Sequence, residues 1–216
     1  MILTSRIQIL SIKLTITLIL ISLTHVQAME TINQTNLTES PVQLLNEAKI
    51  IINISEQKLY LYKMNDELVK DYPISSSKYG IGSKANTGKT PLGLHKIENK
   101  IGADSPTGTI FKGRKNTGKI ANIDAENGDL VTTRIMWLKG LEAGKNLGKG
   151  IDSYKRYIYI HGTAEESKIG QPASHGCIRM LNHDVIDLFD RVQENTSVNI
   201  VMNQETVSNL EKPLDK

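Results

Sequence analysis

From Lys49 onward, hydrophobic and polar positions alternate as they do in half-buried strands. Ile50-Ile51-Ile52-Asn53-Ile54 and Lys58-Leu59-Tyr60-Leu61-Tyr62 are rich in β-branched and aromatic residues, and the polar Ser55-Glu56-Gln57 between them predicts a hairpin. Asn65-Asp66 marks a further turn before Leu68-Val69-Lys70-Asp71-Tyr72-Pro73-Ile74, so an antiparallel sheet is expected. A Gly-, Ser- and Lys-rich loop covers Ser75 to Pro91, and Pro91 to Ile97 resumes the alternation. Recurring glycines and small polar residues from Ile101 to Asp129 predict long loops. Leu130 to Leu138 reads as a strand, Gly140, Gly144, Gly148 and Gly150 as an irregular loop, and Tyr157-Ile158-Tyr159-Ile160 as a strand ending at His161.

One segment departs from this period. Val185, Leu188, Phe189 and Val192 recur at helical spacing, with Asn182 as the expected N-cap and Asp184 and Asp187 suiting the positive end of the helix dipole. Ser197 to Met202 reads as a closing strand. The expected fold is therefore mostly β, sandwich-like or barrel-like, with one main helix and long functional loops.

The N-terminus changes the setting of this domain. Arg6 and Lys13 precede an uncharged apolar stretch, Leu14 to Leu23, and Val26-Gln27-Ala28 places small residues where a signal peptidase would cut. The stretch is shorter than the about 20 residues of a spanning helix, which favours a cleaved signal over the alternative of an uncleaved N-terminal anchor. Residues 1–28 are read as a signal peptide, 29–47 as a polar linker or tail, 48–203 as the folded domain and 204–216 as a polar C-terminal tail. The chain is thus expected to be exported to a periplasm or cell envelope, meeting a membrane only during export. Removing Arg6 and Lys13 from 26 basic residues leaves 24 against 23 acidic ones, a near-neutral balance that argues against nucleic acid as a partner. Lys78, Lys84, Lys89, Lys96, Lys100, Lys112, Arg114, Lys115 and Lys119 form a basic run that reads as a solvated face or as an attractor for an anionic wall polymer.

Export makes the single cysteine informative, because thiols in oxidising compartments are usually paired in disulfides and Cys177 has no partner in the chain. It lies in Ser174-His175-Gly176-Cys177-Ile178-Arg179-Met180, sixteen residues after His161. A thiolate, not a thiol, attacks carbonyls, so a catalytic cysteine needs a base. His161 can approach Cys177 from a neighbouring strand and is favoured over His175, which Gly176 allows to turn away. The carbonyl of Gly162 can orient the base, no triad carboxylate being obvious. The amides of Gly176 and Cys177 can form an oxyanion hole. Trp137 reads as core, Arg179 as a partner for an acid such as Asp184 or as a substrate contact, and His95 and His183 as surface residues. Two other classes remain open: a zinc site built from His161, His175 and Cys177, and a wall-binding module without catalysis.

His161-Gly162-Thr163 followed by Ser174-His175-Gly176-Cys177-Ile178-Arg179 resembles the signature of the YkuD-like L,D-transpeptidase catalytic domains, and Thr90-Pro91-Leu92-Gly93 resembles that family's Thr-Pro-x-Gly segment. The resemblance covers roughly residues 49–202. It implies a β-sandwich-like domain in which Cys177 is the nucleophile, His161 the proton donor and acceptor, Gly162 its orienting carbonyl, and Ser174, His175 and Arg179 line the substrate site. Many members carry Asn where Arg179 stands, though Arg also occurs. The implied reaction is acyl transfer on tetrapeptide stems of peptidoglycan, releasing D-alanine and crosslinking third residues, without cofactor or metal. Water as acceptor would make the same site an L,D-carboxypeptidase, and a protein lysine would attach an envelope protein to the wall.

Overall fold

Alternating apolar residues build β1 (Ala48–Asn53) and β2 (Lys58–Lys63), which with β3 (Leu68–Pro73) form an antiparallel run in which Ile50, Ile52, Leu59, Leu61 and Tyr72 are all buried. They open a computed structural model that describes residues 48–125 and 128–203. The expected signal peptide, linker and C-terminal tail lie outside the described residues. Among the described residues, no helix is long and apolar enough to cross a membrane.

The remaining strands are β4 (Gly93–Ile101), β5 (Thr109–Lys112), β6 (Lys115–Ile120), β7 (Val131–Gly140), β8 (Tyr159–Thr163), β9 (Ile178–Met180) and β10 (Ser197–Val201). They form one ten-stranded open sheet in the order β3-β2-β1-β10-β4-β7-β5-β6, with β8 added to β7 and β9 to β8. β1 and β10 pair in parallel, Lys49 opposite Ser197 and Asn53 opposite Val201. Helix α1 (Asn182–Arg191) is the one α-helix among the described residues and follows β9 directly, as its period of apolar positions requires. Val185, Leu188 and Phe189 on its inner face join Ile160, Ile178, Met180, Ile97 and Leu138 in a continuous buried cluster. Each such side chain contributes about 1.5–3 kcal/mol when fully removed from water. The mostly β fold with its main helix after the cysteine is therefore the one observed among the described residues.

Four expectations are corrected. The segment Ile101 to Asp129 is not all loop, because β5 and β6 form a hairpin within it. Lys112 pairs with Lys115 across the two-residue turn Gly113-Arg114, whose φ values of 56° and 66° are those of a type I′ turn that matches strand twist. β6 is exposed along its whole length, so no apolar alternation marks it. The strand expected from Tyr157 starts at Tyr159, since Tyr157 itself has a φ of 59° that breaks extended backbone. Asn182 is the first helical residue, not the cap; Leu181 occupies the cap position, and the Glu166 carboxylate accepts from the Asn182 amide at 2.7 Å, an anion at the positive end of the helix. His95 is fully buried, its Nδ1–H donating to the Gly93 carbonyl and its Nε2 accepting from the Ser153 hydroxyl, whereas His183 is exposed as expected.

Candidate active site

β8 and β9 form a two-stranded parallel ribbon at the side of β7, with Ile160 opposite Ile178 and His161 opposite Arg179. Because side chains alternate along a strand, Ile160, Ile178 and Met180 face α1 while Tyr159, His161 and Arg179 face the other way. The Tyr159 amide donates to Cys177 Sγ at 3.4 Å, which places Cys177, two residues before Arg179, on that second face with His161. The ribbon therefore carries the thiol and the favoured histidine on one face.

His161 is 1% exposed. Its Nδ1 lies 2.6 Å from the Gly162 carbonyl, which can only accept, so the proton sits on Nδ1 and Nε2 keeps its lone pair. Burial pushes the imidazole below its ordinary value; the Asp129 charge and the Gly162 bond oppose this only in part, and the Arg179 charge adds to it. Gly162 has no room for a side chain, since a Cβ there would meet Asn182 Oδ1 at 2.5 Å and the Thr132 carbonyl at 3.0 Å. Asn182 holds this end of β8: its amide nitrogen donates to the Thr163 carbonyl at 2.8 Å, and its Oδ1 accepts from the Thr132 and Thr133 hydroxyls. Thr133 lies in the left-handed region at φ 66°, within the register shift of β7 against β8, a strained position for a β-branched residue that costs about 1–3 kcal/mol.

The Cys177 residue remains partly accessible while its sulfur is packed against β8. Its S–H donates to the Tyr157 carbonyl at 3.3 Å. Burial above all, with the Asp129 charge adding to it, pushes the thiol up to about 12 against the opposing Tyr159 amide and the Arg179 and Arg156 charges. The loop before it is pinned from both sides. The Ser174 hydroxyl donates to the Cys177 carbonyl at 2.6 Å, and the Gly176 amide donates to Ser174 Oγ at 3.2 Å. The Thr90 hydroxyl donates to the Gly176 carbonyl at 3.1 Å and accepts from the Ser77 amide, so the Thr90-Pro91-Leu92-Gly93 segment buttresses the thiol loop. Gly176 has a φ of 122° and sits so near the Gly88 and Lys89 carbonyls, 3.4 and 3.3 Å from an added Cβ, that a side chain would strain the turn.

Asp129 is the residue sequence reasoning missed. One oxygen accepts from His175 Nδ1–H at 2.5 Å and from the His175 amide at 3.2 Å, and the other pairs with Arg179 Nη2 at 2.6 Å. Burial would raise this carboxyl, but its electrostatic interactions with His161 and with the Arg179 charge, together with the His175 bond, outweigh it and hold it below the usual range. Arg179 pairs with Glu165 at 2.8 Å as well, not with Asp184, and is only 1% exposed. Arg179 and Ser174 are both buried, their polar groups turned to Asp129 and Glu165 and to the Cys177 loop. His175 by contrast is exposed, its side chain 48% accessible and its ring centroid 5.6 Å from that of Tyr79. Among the described residues, no group of three or more His, Cys, Asp and Glu side chains is arranged to hold a metal ion.

Beside the thiol lies an aromatic cluster. Trp137, read as core, is only partly buried; it stacks on Tyr154 at 3.9 Å between centroids, meets Tyr159 edge-on at 5.7 Å, and donates its indole N–H to the Tyr154 carbonyl at 3.0 Å. Cys177 packs against the same cluster, which also holds Phe111 and Ile135.

Residues 47–200 match the family model of the YkuD L,D-transpeptidase catalytic domain. Two Escherichia coli K12 relatives are similar along most of the domain. The probable L,D-transpeptidase YcfS is 29% identical over 163 residues, and the probable L,D-transpeptidase ErfK/SrfK is 30% identical over 156; each alignment covers 70% of this chain and 43% of the relative. The chain thus matches less than half the length of these relatives. Among solved structures, Mycobacterium tuberculosis L,D-transpeptidase 1 aligns with 72% of this chain and 61% of its own at 18% identity and a TM-score of 0.41. The C442S mutant of the Enterococcus faecium L,D-transpeptidase aligns with 73% of this chain and 50% of its own at 18% identity and a TM-score of 0.43.

Proposed function

The chain belongs to the YkuD family of L,D-transpeptidase catalytic domains, and from that premise we propose that it is an exported peptidoglycan L,D-transpeptidase that forms a thioester on Cys177. The observation that carries the proposal is the shared face of the β8–β9 ribbon: Cys177 beside Tyr159, and His161 with Nδ1–H tied to the Gly162 carbonyl and Nε2 left basic.

The resting pair is neutral. Burial raises the thiol and depresses the imidazole, so proton transfer accompanies attack rather than preceding it. Cys177 Sγ attacks the carbonyl carbon of the third stem residue as its proton passes to His161 Nε2. The developing oxyanion is met by the Cys177 amide and by the Gly176 amide, which exchanges its bond to Ser174 Oγ for the substrate. Collapse expels the amine of D-alanine, which takes the proton from His161 and leaves the thioester. An incoming amine then gives its proton to His161, attacks the thioester carbon and releases the sulfur, which recovers the proton.

His175 borders the donor site, held by Asp129. Arg179 acts through Asp129 and Glu165 and Ser174 through the Cys177 loop, both as positioning residues. The signal-peptide pattern of residues 1–28 supports a cell-envelope site for the reaction.

Purified tetrapeptide muropeptides incubated with the protein and with Cys177→Ala test the reading. Crosslinked dimers with release of D-alanine, absent from Cys177→Ala, are the expected result. Tripeptide monomers alone would assign water as acceptor and make the enzyme an L,D-carboxypeptidase; transfer to a lysine-bearing envelope protein would assign the third acceptor. Identical products from both proteins would remove the thiol from the chemistry.

A further inference from the structure

Arg114 stands at the second position of the tight β5–β6 turn, and it belongs to the basic run for which the reaction above has no use. Its guanidinium carbon lies 4.6 Å from the Trp137 ring centroid and 4.9 Å from that of Tyr157, and its Nη1–H donates to the Tyr159 hydroxyl at 3.2 Å. Those are the residues that enclose the sulfur: the Tyr157 carbonyl takes its proton and the Tyr159 amide donates to it. Trp137 is itself fixed by its stack on Tyr154, so the guanidinium rests on a rigid support.

The other described arginines are engaged. Arg134 donates to the Ser105 and Thr133 carbonyls, Arg156 to the Gly82 and Lys89 carbonyls, Arg179 to two carboxylates and Arg191 to Asp187. Among the described residues, no carboxylate pairs with Arg114. Aromatic stacking holds a guanidinium in one plane without neutralising it, and its planar fork of N–H groups matches a carboxylate in bidentate geometry. An oriented, uncompensated fork next to a nucleophile is a receptor for an anionic part of the substrate.

We propose that Arg114 is a substrate-binding residue that recognises a carboxylate of the donor peptide near the scissile bond. The inference rests on the transpeptidase reading and deepens it. Two donor groups share this chemistry: the α-carboxylate of the leaving residue, and a side-chain carboxylate on the diamino acid where one is present. Bound by Arg114, either would hold the donor carbonyl over Sγ. The contribution is to binding, since the charges that act on Cys177 most directly are those of Asp129, Arg179 and Arg156.

The test compares the protein with Arg114→Gln and Arg114→Lys on synthetic tetrapeptide donors: the free acid, one amidated at its C-terminus, and one amidated on the diamino acid. Arg114→Gln is expected to raise KM for the free acid about ten- to hundredfold with kcat nearly unchanged, the range of one lost charge-assisted contact. It is expected to leave one amidated donor unaffected, and the donor that it spares identifies the carboxylate read. Arg114→Lys recovers part of the loss, keeping charge without the fork. Alkylation of Cys177 by neutral iodoacetamide proceeds equally in all three proteins, which reports that fold and thiol are intact. Equal losses on all donors, no loss on any, or slowed alkylation would each overturn the assignment. If the unmodified protein processes no donor, the transpeptidase reading fails first and takes this inference with it.

Discussion

The two faces of the β8–β9 ribbon are both buried, yet they are held by different physics. On one, Ile160, Ile178 and Met180 meet Val185, Leu188 and Phe189 of α1, and contact is non-directional and tolerant of small shape changes. On the other, His161, Arg179 and Cys177 each need a partner at a set distance: the Gly162 carbonyl, the Asp129 and Glu165 carboxylates, and the backbone of Tyr157 and Tyr159. Even so, the Nε of Arg179 finds no partner. A one-residue step along the strand separates the face that supplies stability from the face that supplies chemistry.

This division is open to test by substitutions that strike one face at a time. The largest effect is expected from His161→Gln on the polar face: D-alanine release should fall by about 10²–10⁴-fold, the usual share of a general base, with the chain still folded by circular dichroism. A loss under tenfold would move the base elsewhere. Next, Leu188→Ala on the apolar face should cost about 3 kcal/mol of stability in urea unfolding while leaving turnover per folded molecule unchanged. Turnover lost in proportion to stability would mean that the faces are coupled.

The smallest effect concerns His95, a polar residue on the same side of β4 as the buried Ile97. Burial holds it at about 4 instead of 6.5. The unfolded chain therefore binds a proton that the folded one refuses, and stability present above pH 6.5 is lost as the pH falls toward 4. The loss from this residue amounts to between about 2 and 3 kcal/mol. His161 is depressed in the same direction and adds to the slope. Unfolding free energies measured from pH 7 to pH 4.5 should decline, and His95→Asn should flatten the curve; an unchanged slope would show that His95 titrates normally.

What the sequence disclosed follows the range of the forces involved. β1, β2 and α1 were legible because burial on one side imposes a period of two or of 3.6. The Ser-His-Gly-Cys segment was legible because its chemistry is local. β6 was not, since it is exposed throughout and rests on turn geometry at Gly113-Arg114 and on pairing with β5. His95 was misread because a histidine satisfied at both nitrogens can be buried, and that satisfaction comes from Ser153 on a distant loop. Asp129 lies 46 residues before His175 and acquires its role only when β7 and the cysteine loop converge. An acid directly ahead of a strand-like run was the only local sign of it. Arg114 was seen only as one charge in a basic run, because the aromatic support that distinguishes it comes from β7 and the segment entering β8.

The parallel pairing of β1 with β10 has a consequence for biosynthesis. Among the described residues β10 is the last strand made, and it belongs in the middle of the sheet, between β1 and β4. Until the ribosome has released residue 201, the hairpin strands at the start of the domain and the β4–β7 half both carry an unfilled hydrogen-bonding edge, and neither can complete the sheet. Such a topology closes late and over long sequence distances, which slows folding and favours keeping the nascent chain unfolded until it is whole.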